Sequence, residues 1–193
     1  MKRTNTSCLY GLPDTDMNNS QSTQPILYYL DYDSPLGLMR ILGSTKQLYT
    51  VYFVDPDDAQ TVALEQQAEA TSNPDQCAYF GPITAWLDRY FSNPHGAGPL
   101  PLDIAQLEGT PWQKTVWAQL AKIPSGQTIS YSTLAQHSQR PRAIRAAASA
   151  CGKNPIAILI PCHRVIAKSG QLGGYRGGLH IKKALLDLEK TNR

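Results

Sequence analysis

Residues 110–152 decide the fold: TPWQKTVWAQLAKIPSGQTISYSTLAQHSQRPRAIRAAASACG. Thr110 is a good helix N-cap and Pro111 suits the first helical position. Trp112, Val116, Trp117, Leu120 and Ala121 then share one apolar face, so both tryptophans read as core packing. Pro124-Ser125-Gly126 ends this helix. Ser130 or Ser132 can cap a short helix running through Gln136. Gln139-Arg140-Pro141 is a break, and Arg142 to Cys151 is a further short helix closed by Gly152. Two short helices about a break have the spacing of a helix–turn–helix, a motif that lays its second helix on DNA.

That second helix has an unusual composition. Ala143, Ala146, Ala147, Ala148, Ser149 and Ala150 are small, with Arg142 and Arg145 among them. Small side chains suit close packing against another helix. They equally suit close approach to a narrow groove with one arginine projecting. The helix has few of the groups that read base edges, so as a DNA-binding element it would show little sequence preference.

Downstream, Ile156 to Ile160 is a short apolar run with the pattern of a buried strand or extended segment. Pro161-Cys162-His163-Arg164-Val165 follows directly. A nucleophilic thiolate needs a neighbouring cation or base, and this setting offers both. A base in turn needs an orienting carboxylate. From residue 110 onward only Asp187 and Glu189 are acidic, both on a terminal helix expected over Leu179 to Lys190. Zinc is a poor alternative, because Cys151, Cys162, His163 and His180 lack finger spacing. A cysteine hydrolase also pairs Cys with His. Adjacent side chains in an extended segment point opposite ways, so that pairing would need a turn or a bridging water.

Upstream the chain changes character. Ile26 to Asp31, Leu38 to Leu42 and Leu48 to Val54 read as strands of an antiparallel meander, with Ser34-Pro35-Leu36-Gly37 as a turn. Asp57 to Ala70 and Pro82 to Phe91 have helical spacing. The expected organisation is therefore a disordered tail over 1–24, an N-terminal α/β domain over 25–91, a Pro- and Gly-rich linker over 92–109, and a mostly helical domain over 110–193. The formal net charge of +3 hides an asymmetry. Residues 1–109 hold 5 basic and 13 acidic side chains, and residues 110–193 hold 13 basic and 2 acidic. The basic half suits a polyanion, though two halves that neutralise each other across an interface give the same numbers. No apolar run approaches the roughly 20 residues of a membrane span. The four cysteines form no C-x-x-C pair and read as free thiols of a reducing cytosol.

Ile160-Pro161-Cys162-His163-Arg164-Val165-Ile166 closely resembles the active-site signature of the O6-methylguanine-DNA methyltransferases. Gly126-Gln127-Thr128-Ile129-Ser130-Tyr131, Asn154-Pro155, Gly173-Gly174-Tyr175, Gly177-Gly178 and Leu185-Leu186 before Glu189 extend the resemblance over roughly 110–190. Ser34-Pro35-Leu36-Gly37 is its clearest match in the N-terminal part. The resemblance implies an RNase H-like N-terminal sheet with helices and a C-terminal domain with a winged-helix-like helix–turn–helix, an α/β (α+β) protein. It implies direct reversal of DNA damage. An alkyl group passes irreversibly from guanine O6 in duplex DNA to Cys162, once per molecule, after the base is flipped. O4-methylthymine and larger adducts belong to the same substrate class.

The same resemblance implies roles residue by residue. His163 is the base, reaching the thiol through a water, and Glu189 orients it. Asn154 ties the recognition helix to the active-site turn. Tyr131 hydrogen-bonds the leaving guanine. Arg145 fills the stack after the base leaves. Ser130, Tyr131, Ala146, Ala147 and Ser149 are expected at the DNA. Pro161, Val165, Tyr175 and the backbone at Arg176 are expected around the alkyl group. No metal, no cofactor and no S-adenosyl donor is required, and a cytoplasmic monomer acting on double-stranded DNA is expected. Ala146-Ala147-Ala148 departs from the Val and Gly common after the arginine in the family, and Arg176 stands where some relatives have a small hydroxyl residue. Cys151 takes no part in this scheme and is expected to be structural. A non-catalytic binder of alkylated DNA would lack the reactive cysteine. A methylation-switched regulator would carry an added cysteine-rich zinc domain, for which Cys8 and Cys77 are too few.

Overall fold

The computed structural model describes residues 25–55, 62, 63, 66, 68–71 and 73–191; the tail expected over 1–24 lies outside them. The N-terminal half grows from a hairpin. Strand β1 (Tyr28–Ser34) pairs antiparallel with β2 (Gly37–Gly43) through the two-residue turn Pro35-Leu36. Gly37 at φ +126° supplies a backbone conformation that L side chains rarely adopt. Strand β3 (Leu48–Phe53) adds antiparallel to β2. The fourth strand, β4 (Glu69–Ala70), runs parallel to β1, giving the order β3-β2-β1-β4.

Strand β4 corrects the helix expected over 57–70. Residues 62 and 63 are helical, but Glu69 N–H and Thr71 N–H donate to Leu27 O and Tyr29 O at 2.9 Å each. The open edge of β1 thus captures the segment's end; the rest of that helix lies outside the described residues. Helix α1 (Phe80–Ser92) covers the sheet with Phe80, Ile83, Trp86, Leu87 and Tyr90. The segment expected to be a linker is packed: Ala97 and Leu107 are buried in it.

In the C-terminal half, α2 (Pro111–Leu120) begins as expected. Thr110 and Gln113 form a reciprocal capping box, with Gln113 N–H to Thr110 Oγ1 at 3.2 Å and Thr110 N–H to Gln113 Oε1 at 2.7 Å. The Trp117 indole N–H donates to Ala150 O at 2.9 Å and that of Trp112 to Ala146 O at 3.2 Å, so both tryptophans hold the Ala-rich helix. Strand β5 (Ile129–Ser130) leads into α3 (Tyr131–His137), which Ser130 caps. Helix α4 (Ile144–Gly152) starts two residues later than expected and includes Gly152, ending on Lys153. Strand β6 (Val165–Ile166) pairs parallel with β5, and α5 (Gly178–Thr191) closes the chain.

The run Ile156 to Ile160 is a turn, not a strand. Ile158 stands at φ +67°, a strained position for a β-branched residue. Only Ile156 pairs, bridging to Val51 of β3. One apolar cluster joins the halves, holding Met39, Ile41, Phe80 and Leu87 together with Val116, Trp117, Leu134 and Ile160. The two halves expected from the charge pattern therefore share a core. Among the described residues no helix is long and apolar enough to cross a membrane.

Candidate active site

The site starts at the exit of α4. Asn154 follows the helix directly and its buried side chain is fully engaged. Its Nδ2 donates to Ile160 O at 2.7 Å and to Ile156 O at 3.2 Å, while its Oδ1 accepts from Ile156 N–H at 3.0 Å. One amide thus binds both ends of the turn before Cys162 to the end of α4. From the other side β3 grips the same turn. Val51 N–H donates to Pro155 O at 2.9 Å, Ala157 N–H to Val51 O at 2.7 Å and Thr50 Oγ1 to Pro155 O at 2.7 Å.

This bracing aims Cys162 into a cavity of about 420 Å³. The cavity is lined by Cys162, Cys151 and Asn154, by Tyr131 and Ala148, by Val51–Phe53 of β3, and by the rim loop Gly174–Gly177. Residues 162–164 form a single 3-10 turn rather than an extended segment. Cys162 faces the cavity while His163 is wholly buried behind it. Burial pushes the Cys162 thiol up, and the Asn154 side chain and the Lys182 ammonium pull it back down. Cys151 is likewise pushed well up by burial.

Of the two available acids, Glu189 is the partner of His163. Asp187 is exposed and pairs with Lys183 at 3.0 Å. His163 Nε2 lies 2.9 Å from Glu189 Oε1. Arg164 donates from Nη2 to the same oxygen at 2.7 Å, and Gly126 N–H donates to Oε2 at 3.0 Å. Burial pushes the Glu189 carboxyl up, but the hydrogen bonds of His163 and Arg164 and the Arg164 charge outweigh it, leaving the carboxyl well below the usual range. An ionised carboxylate accepts only. His163 Nε2 therefore carries the hydrogen and Nδ1 presents its lone pair. That Nδ1 is buried with no hydrogen-bond partner among the described residues. Burial lowers the His163 pKa, so the ring is neutral at pH 7.

Tyr131 reaches the cavity from the first turn of α3. Burial raises its hydroxyl pKa, which keeps it a donor. A Cβ at Gly173 would collide with its ring and hydroxyl, so any side chain there would have to displace Tyr131. The Tyr175 hydroxyl is also buried and has no hydrogen-bond partner among the described residues. The Arg176 guanidinium sits over the Tyr52 ring at 5.2 Å, linking the rim to β3.

Arg145, Ala146 and Ser149 are exposed on one face of α4. Three expected residues are placed elsewhere. Ala147 is 0% exposed and packs into the core, so it cannot touch DNA. Val165 is also fully buried, in the ladder with Ile129. Pro161 lines a different cavity of about 370 Å³, beside Trp86 and Arg164. Ser130 is half-buried and its Oγ accepts from Thr133 N–H at 3.1 Å, so it serves as the α3 cap.

Other residues of the site were not evident in the sequence. Lys182 is wholly buried and donates from Nζ to Val165 O at 2.8 Å and Gly173 O at 3.2 Å, joining the segment after Cys162 to the rim loop. Its spacing to Leu186 and Glu189 puts it on the inward face of α5, and that spacing was the available signal. Tyr90 of α1 donates from Oη to Glu189 Oε1 at 2.7 Å, a contact across 99 residues that no local pattern announces.

Comparison with known proteins agrees with this geometry. Residues 111–191 match the DNA-binding domain of 6-O-methylguanine DNA methyltransferase and residues 27–104 match its ribonuclease-like domain. The chain is 38% identical over 169 residues to a methylated-DNA–protein-cysteine methyltransferase of Mycobacterium tuberculosis, covering 86% of this chain and 94% of the relative. It is 39% identical over 166 residues to the protein of that name from Methanosarcina barkeri, covering 86% and 99%. Among solved structures, the Mycobacterium tuberculosis OGT in complex with DNA superposes with a TM-score of 0.68 at 36% identity, over 86% of this chain and 94% of that one. With both halves matched in order along nearly the whole described chain, the protein belongs to the 6-O-methylguanine DNA methyltransferase family.

Proposed function

We propose that this protein repairs duplex DNA by transferring the methyl group of O6-methylguanine to Cys162 Sγ, once per molecule and irreversibly. The observation that carries the reading is the half-buried Cys162 facing the cavity that Tyr131 also lines, with the buried His163–Glu189 pair beside it. The arrangement performs the reaction as follows. His163 Nδ1 accepts the thiol proton, through a water as the family resemblance implies, while Glu189 stabilises the imidazolium that forms. The S–CH3 bond forms as the CH3–O6 bond breaks, and the bonding pair returns to guanine. Tyr131 Oη hydrogen-bonds a ring nitrogen of the leaving guanine and favours its protonation; the guanine takes up one proton as the imidazolium releases the one it took from the thiol, so His163 and Tyr131 end as they began. Overall the thiol hydrogen is exchanged for methyl and nothing else is consumed.

A thiol held largely protonated by burial reacts slowly with solvent electrophiles until a substrate lies against it. O6 of a stacked guanine is out of reach, so the base must leave the helix, at a cost of a few kcal/mol. Arg145, exposed on α4, fills the vacated stack and offsets part of that cost. The small exposed residues Ala146 and Ser149 let α4 approach the minor groove. The partner is double-stranded DNA carrying an alkylated guanine, and the protein acts as a monomer.

The test is a duplex containing one O6-methylguanine, followed by intact mass and peptide mapping. The expected result is one methyl on Cys162 and no second turnover. An unmodified protein that binds the lesion would make the chain a recognition module, and one that neither reacts nor binds would refute the substrate.

A further inference from the structure

Glu189 is held from outside its own domain. Tyr90, on α1 of the N-terminal half, is wholly buried and donates its hydroxyl to Glu189 Oε1 at 2.7 Å, the oxygen that also accepts from His163 Nε2 at 2.9 Å. Three residues later in the same exit from α1, the Asn93 side-chain Oδ1 accepts from His95 N–H at 3.2 Å, and His95 Nε2 meets the Glu189 backbone carbonyl at 3.0 Å. The Tyr90 ring is fixed by stacking on Trp86 at 5.4 Å and by an edge contact with Phe91 at 5.3 Å. The N-terminal half thus holds both the side chain and the main chain of the carboxylate residue behind the nucleophile.

We infer that Tyr90 is a positioning residue that sets the proton affinity of His163 through the shared Glu189 oxygen, giving the N-terminal domain a direct part in the alkyl transfer. Each donor on a carboxylate oxygen draws off charge that the histidine would otherwise feel. Charge-assisted bonds of this kind are stronger than neutral ones, so removing one changes what the remaining partners receive. Tyr90 cannot itself take over the charge. Burial and the neighbouring Glu189 charge push its hydroxyl well above the ordinary tyrosine range, so it donates at every working pH.

The other groups around the pair are Arg164 and Cys162 on the same 3-10 turn, Lys182 on α5, His95 after α1, and Tyr175, whose ring meets His163 edge-on at 6.4 Å. Arg164 and Lys182 both oppose protonation of His163, and Glu189 is the group that favours it. Weakening the hold of Tyr90 on Glu189 therefore makes His163 more basic. The inference rests on the proposed role of His163 as the base, but its coupling can be read without any transfer.

The test uses Tyr90→Phe, which removes one oxygen and keeps the ring. The titration of the four histidines is followed by NMR. The rate of methyl transfer to Cys162 is followed across pH. The expected result is an upward shift of the His163 midpoint by about half a pH unit, with the acid limb of the transfer rate moving alongside it. Tyr32→Phe is the control, since it removes a hydroxyl of the same domain that bonds the exposed Asp88 at 2.8 Å; no shift is expected there. Installing 3-fluorotyrosine at position 90 strengthens the donor without changing its shape and should move the midpoint down. It decides the matter alone if Tyr90→Phe does not fold. An unchanged His163 midpoint in a folded Tyr90→Phe or fluorotyrosine protein overturns the inference, whatever the rate does. A shifted midpoint in a protein that never methylates Cys162 upholds the coupling and removes the proposed activity instead.

Discussion

Lys182 shows how one side chain can tune a thiol it does not need to touch. A buried ammonium is costly unless its hydrogens are engaged, and Lys182 spends two of them on Val165 O and Gly173 O. Burial lowers its own pKa, while the two thiols Cys151 and Cys162 favour its charge. The reciprocal effect is a lower pKa for Cys162. Replacing it by methionine keeps the length and removes both the charge and the donors. Lys182→Met should lower the rate of Cys162 alkylation by iodoacetamide at pH 7 about tenfold, the equivalent of roughly one unit in thiol pKa. It should also cost about 1–3 kcal/mol in a urea melt, because two buried carbonyls lose their donor. An unchanged alkylation rate would show that the ammonium acts only as a brace. The motif around Cys162 announced the proposed nucleophile and base, because a Cys beside a His and an Arg is a local pattern. Lys182 and Tyr90 were hidden for a physical reason. A lysine on an amphipathic helix reads as solvated, and a tyrosine on an apolar face reads as packing. Each acquires its role only from what the fold brings opposite it.

At the scale of elements, α2 and α4 divide the work of holding and presenting. The capping box at Thr110 starts α2, and α2 carries the two indoles that bond the carbonyls of Ala146 and Ala150. Thr110→Ala should cost about 1 kcal/mol of stability, measured as a shift in the urea midpoint at constant m. Methyl transfer should remain intact where the protein is folded. Helix α4 in turn presents Arg145 outward and buries Ala147 and Ala150. Arg145→Ala should slow transfer from duplex O6-methylguanine roughly ten- to a hundredfold, in line with the few kcal/mol of base flipping. It should leave iodoacetamide alkylation of Cys162 unchanged. Equal loss in both assays would mean that Arg145 supports the site rather than the DNA. The start of α2, the cap of α3 to within Ser130 or Ser132, and the hairpin turn at Pro35-Leu36 were all legible, since capping and turn chemistry are local. The run Ile156 to Ile160 misled because apolar residues in a row fit a buried strand as well as a buried turn. Its conformation is set by Asn154 on one side and β3 on the other, and both are tertiary facts.

For the molecule as a whole, Glu189 is the point where both halves meet, so its charge links stability to pH. Its folded pKa is depressed by His163 and Arg164, while in the unfolded chain it returns to the carboxylate range near ~4.3. A depressed carboxyl contributes stability that is complete above the unfolded value and is lost as pH falls through the folded one. His163 acts in the same direction. Burial depresses its folded pKa below the unfolded value of ~6.5, so below that pH the unfolded state gains a proton that the native state refuses. The two windows follow one another. Stability should hold level from about pH 8 to 7, begin to decline below about 6.5 as His163 comes into play, and fall more steeply below about 4.3 as Glu189 does. Urea unfolding at a series of pH values measures this directly. In Glu189→Gln the protein should be destabilised by about 3–5 kcal/mol at pH 7, since Arg164 keeps a buried charge without its partner. The steep acid segment should shrink with it. A Glu189→Gln protein with the stability and the acid profile of the parent would mean that Arg164 and His163 are held by their other contacts, and that the carboxylate serves the chemistry alone.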